Sequence, residues 1–126
     1  MKELIEMFMQ LDVTAFAFAM VFIALDIVTG YAQALANKSL SSVKMRTGLW
    51  HKLALVFAII VAGLADVAVA AEVGLGFQMP IFEAACIYAC LMELTSILEN
   101  LKLMNPELAN TKLMSLFDDV NGGDRQ

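Results

Sequence analysis

Charge is scarce in this chain: Asp, Glu, Lys and Arg make up 17% of its 126 residues, against about 25% in an ordinary soluble domain. Basic residues are scarcer still, 8 against 13 acidic, for a formal net charge of -5. Without an excess of Lys and Arg to neutralise phosphates, no nucleic-acid partner is expected. One His and two Cys, Cys86 and Cys90, offer neither zinc-type spacing nor a disulfide framework. No Gly-rich phosphate loop or nucleophile elbow occurs, and His51 has no Ser, Cys or carboxylate at a recognisable spacing. The expectation is therefore no catalytic residue, no metal ligand, no cofactor and no enzyme activity. The N-terminal MKELIEMFMQ lacks the basic start of a signal peptide, and no small-residue cleavage site follows the first apolar run. That run is expected to stay in the protein.

What the chain does have is apolar surface. It is 60% hydrophobic, with a mean hydropathy of +0.74, more than a chain of this size can bury within itself. An all-α integral membrane protein is the natural reading. Three apolar stretches approach or exceed the roughly 20 helical residues that cross a hydrocarbon core. They run over residues 13–36, 49–71 and 79–98. Asp26, Thr29, Gly30 and Gln33 dilute the second half of the first, leaving open an interfacial helix there. In the third, Pro80 suits a first-turn position. Asn105-Pro106 is a helix stop. Residues 1–104 are thus read as a transmembrane domain, and 105–126 as a short cytoplasmic tail with an amphipathic segment from Leu108 to Phe117.

Orientation follows Lys and Arg near the span ends. The first connector carries Lys38, Lys44, Arg46 and Lys52 without an acid, whereas the second, Glu72 to Gln78, has no basic residue. The first connector and the C-terminus are therefore expected in the cytoplasm, with the N-terminus outside.

Acidic groups at membrane depth are the anomaly: Asp26, Asp66, Glu83 and Glu93, with no Lys or Arg in mid-span to pair with them. A central Asp costs about 2.5–3.5 kcal/mol on a translocon-type scale, so such groups face a bundle interior or water. Solvation of Asp26 and Asp66 near the interface is the plainer alternative. Ala54, Ala58, Ala62, Asp66 and Ala70 recur every four residues on the second span, a narrow small-residue face that admits a second helix closely. On the third span, Glu83, Cys86, Cys90, Glu93, Ile97 and Asn100 fall on one side. Three spans enclose little room for four carboxyl groups, so a homo-oligomer with a shared, pore-lining interior is expected, against ordinary packing within one three-helix unit. Cys86 and Cys90 are read as small packing residues.

Leu25 to Asp66 resembles the toxin-secretion and phage-lysis holin family of small multi-span membrane proteins. The resemblance is carried by Asp26 and Gly30 late in the first span, Ser41-Ser42 followed by Gly48 and Lys52, and Asp66 late in the second span. It continues through Glu93 and Ser96-Ile97-Leu98-Glu99-Asn100, so that it covers about Leu25 to Asn100. The resemblance implies a phage or prophage protein of the bacterial cytoplasmic membrane that assembles into lesions releasing an endolysin or, in some relatives, a toxin. From the residues alone, two other readings stand beside it: a small ion- or proton-conducting protein, and an adaptor recruiting a partner through its tail.

Overall fold

The computed structural model describes residues 1–73, 80–112 and 114–116. Among them every regular element is helical: α1 (Lys2–Met9), α2 (Val13–Ala36), α3 (Ser42–Val73), α4 (Ile81–Met104) and a 3-10 helix, Pro106–Asn110. Residues 74–79, Leu113 and 117–126, where most of the second connector and half of the tail were expected, lie outside the described residues. The chain is an all-α membrane protein: α2, α3 and α4 are each long and apolar enough to cross a bilayer. Only 17%, 22% and 28% of their most apolar windows is buried within the chain. The remaining apolar surface has to meet lipid or protein.

Local signals set the helix ends. The Asp12 side chain accepts from the Thr14 and Ala15 backbone N–H groups at 2.9 and 3.1 Å, filling two of the bonds a helix start lacks. The other end of α2 closes with Ser39 N–H donating to Ala34 O at 2.9 Å and Lys38 N–H to Leu35 O at 3.2 Å. That is a Schellman closure, and it puts Lys38 in the left-handed region at φ 52. The α3 helix starts at Ser42, seven residues before the apolar stretch, with the Ser41 hydroxyl accepting from Lys44 N–H at 3.4 Å. Its first turns carry Lys44 and Arg46, so hydropathy gives no sign of them. For the same reason α4 continues six residues beyond the stretch, through Glu99, Asn100 and Lys102, until Asn105 turns extended ahead of Pro106.

The central helix is α4, which packs along α2 for much of its length and less extensively on α3, while α2 and α3 touch little. The apolar core lies toward the α4 N-terminus, where Ala19, Ile59, Phe82, Cys86 and Ala89 are buried together. Phe16 stacks on Phe82 with ring centroids 6.2 Å apart. Gly63 admits this ring, since a Cβ there would stand 3.0 Å from the Phe82 Cδ2. Beyond this core, toward the first connector, the helix faces that meet become polar.

Candidate functional site

Asp26 lies halfway along α2 and Glu93 halfway along α4, and both are buried. Helix periodicity brings them there. Ala19, Ile23 and Asp26 make one face of α2, while Cys86, Ala89, Glu93 and Ile97 make the face of α4 that meets it. Lys52 of α3 reaches between them, its ammonium 2.6 Å from Glu93 Oε2 and ion-paired with Asp26. The expectation that no basic residue pairs with the intramembrane acids is thereby corrected. Lys52 reads as the end of a basic connector only if the helix begins at 49. With α3 starting at Ser42, it stands ten residues inside a helix, about 15 Å along its axis.

Asn100, two turns beyond Glu93 on α4, completes the cluster. Its amide donates to Asp26 Oδ1 at 2.9 Å and to the Thr29 hydroxyl at 3.1 Å, and it faces Gly30 across α2. With both acids ionised the cluster carries a formal charge of -1, held by one cation and one amide among otherwise apolar helices. Such a group is costly to take apart, because each partner removed leaves a buried charge unmatched. Asn37, the α2 cap, adds a further tie by donating from Nδ2 to Leu103 O at 3.1 Å.

On the connector side the cluster is open. A cavity of about 310 Å³ separates α2 from α3 there, lined by Gln33, Ser41, Lys44, Gly48 and Ser96 and floored by Asp26, Lys52 and Asn100. At the opposite end a smaller opening of about 200 Å³ is lined by Gln10, Asp12, Asp66 and Glu83. The apolar core lies between the two.

Asp66 serves a different purpose from Asp26. Its carboxylate accepts from the backbone N–H groups of Ile81 and Phe82 at 3.1 and 2.7 Å, capping α4 from a neighbouring helix. Pro80, at the cap position itself, provides no side-chain acceptor. Glu83 is exposed one turn into α4. Asp66 and Glu83 therefore sit together at one end, apart from the Asp26–Glu93 pair.

Of the small residues, Cys86 is fully buried, Cys90 is half-buried, and both are free thiols. Ala62 is buried and Ala70 half-buried, whereas Ala54 and Ala58 are exposed on the single chain. The reason is angular: four residues turn a helix by 400°, so a stripe of every fourth residue drifts about 40° at each step. Ser42 and Glu99 are exposed, Ser96 half-buried. Sequence reasoning missed the bridging part of Lys52 and the contacts of Asn37 and Thr29. The available signal was Asn100 seven residues after Glu93, on the same helix face.

A family model described as the bacteriophage holin family matches residues 3–121. No curated protein and no solved structure matches the chain.

Proposed function

This chain belongs to the bacteriophage holin family, and on that footing we propose that it accumulates in the bacterial cytoplasmic membrane and oligomerises into lesions that release an endolysin or a toxin. As a holin-type membrane protein it belongs to a family that is not one of enzymes. The observation that carries the reading is the buried Asp26–Lys52–Glu93 cluster in a bundle whose spans bury under a third of their apolar windows. A thin bundle of this kind has ample surface to offer other copies, and a charged centre that is stable only while all its partners stay together. Rearrangement of the helices hydrates those groups and turns the polar faces toward a water-filled opening. Ala54 and Ala58, exposed on the single chain, are surfaces through which copies approach closely. Asp66 and Glu83 gather at the external end, and the basic first connector at the cytoplasmic end, with the N-terminus out and the C-terminus in.

The test is inducible expression in a bacterium carrying a leaderless cytoplasmic endolysin, recording culture density, membrane potential and release of a folded reporter. Abrupt lysis after a delay, with reporter release, is the expected result. Depolarisation with the reporter retained would instead favour a small-ion pathway, a second reading that the 310 Å³ cavity ending on the ion cluster supports. No change despite confirmed insertion would overturn both readings.

A further inference from the structure

We propose that assembly exchanges the ion pair between copies: the first half of α3 leaves its own α2–α4 pair, and its Lys52 engages Asp26 and Glu93 of a second copy of this chain. The inference rests on the oligomeric reading above and adds the residue that the neighbouring copy contributes to the site.

Several observations carry it. From Ser42 to Ala58 no residue of α3 is fully buried; Leu55 packs on the core half-buried, and Ile59 is the first residue fully buried in it. Lys52 ties this outer half to α2 and α4, while the 310 Å³ cavity keeps it off α2. The α2 and α4 helices also have ties of their own, Asn100 with Asp26 and Thr29 and Asn37 with Leu103, that do not involve α3. The hinge is short: Asn37 to Ser41 connects two long helices, with Lys38 held at φ 52, a region that a side chain disfavours. Both helices stay in the bilayer, so the hinge swings in the membrane plane, and short strained hinges invite exchange of an element between copies.

Charge selects the occupant. If α3 leaves alone, two carboxylates stay behind among apolar helices without their cation. An α3 from a second copy restores one ammonium to two carboxylates in the same geometry, so the exchange breaks an ion pair and re-forms it. Donor and acceptor are different surfaces of the chain, so the contact is head-to-tail. Reciprocal exchange closes a dimer, and one-way exchange continues from copy to copy into rings or open arcs.

The decisive experiment is complementation. A chain with Lys52→Met retains the acids but lacks the cation; a chain with Asp26→Asn and Glu93→Gln retains the cation but lacks the acids. Each is expressed alone and then with the other, and release of the folded reporter is measured, with insertion checked by resistance to alkaline extraction. Exchange is expected to give at least tenfold more release from the mixture than from either variant alone. The direct readout uses a background of Cys86→Ala and Cys90→Ala, with Gly48→Cys on one tagged copy and Ser96→Cys on another. Gly48 has open space for a side chain, and both positions line the cavity. A disulfide between differently tagged copies is expected at the onset of release.

Two inserted variants that fail to complement while the wild-type chain releases the reporter overturn the exchange and leave the holin reading intact. So does either variant that alone matches the wild type. If the variants do not insert, the Gly48–Ser96 cross-link decides: reporter release without a disulfide between the two tagged copies overturns the exchange. A wild-type chain that releases nothing overturns the holin reading itself.

Discussion

At the scale of single residues, two acids of the same chemistry have unrelated surroundings. Asp26 shares a cation with Glu93 and an amide with Asn100, whereas Asp66 accepts two backbone N–H groups at a helix start. Their substitutions are expected to differ accordingly. Lys52→Met leaves two buried carboxylates unmatched and is expected to destabilise the bundle by about 3–5 kcal/mol. Adding Asp26→Asn and Glu93→Gln to it should recover most of that loss, a non-additivity measurable by thermal unfolding in detergent micelles. Asn100→Leu removes the amide from Asp26 and Thr29 and is expected to cost about 1–3 kcal/mol in the same assay. Unchanged stability in the Leu variant would mean that the amide bonds contribute nothing to the cluster.

At the scale of elements, α4 depends on a cap that its own sequence does not supply. Asp66→Ala deprives Ile81 and Phe82 of their acceptor and is expected to cost about 1 kcal/mol, chiefly by fraying the first turn of α4. Hydrogen exchange should report this as faster exchange at amides 81–86 with little change near Glu93. The same end of the bundle is closely packed around Phe82. Gly63→Leu drives a side chain into that ring and is expected to cost about 1–3 kcal/mol by overpacking, with Gly63→Ala milder because its Cβ meets the ring edge at 3.0 Å. A Leu variant as stable as the parent would show that the Phe16–Phe82 stack can shift aside. The helix ends carry a further lesson. Apolar runs mark where α3 and α4 enter the hydrocarbon, but caps at Ser41 and Asn105 decide where the helices begin and stop.

At the scale of the whole molecule, α4 is the keystone of the three spanning helices, packed extensively along α2 and less so on α3. A polar cavity opens beside α3 at the connector end, and the apolar core seals the bundle toward the other end. Orientation is a prediction at this scale. In a chain with Cys86→Ala and Cys90→Ala, a cysteine replacing Ser39 is expected to resist a membrane-impermeant thiol reagent in intact cells, and one replacing Gln10 to react. The reverse labelling would invert the proposed topology, and with it the side from which the cavity fills with water.

The sequence by itself determined that this is a membrane protein of three apolar helices, because hydropathy and length are additive along the chain and need no partner to be read. It also determined where the unusual chemistry lies: Asp26, Glu93 and Asn100 stand out from any apolar stretch, and their spacing on a single helix follows from 100° per residue. The partner of the two acids was decided only by the tertiary structure. Lys52 is 26 residues from Asp26 and 41 from Glu93, and nothing local distinguishes a lysine in a basic connector from one that bridges two helices. The division between Asp26 and Asp66 was likewise tertiary. Both are acids in apolar surroundings, and whether a carboxylate meets an ammonium or the first amides of a neighbouring helix depends on how the helices are rotated and offset. That offset is fixed by side chains packing around Ile59 and Phe82, an interaction between distant segments.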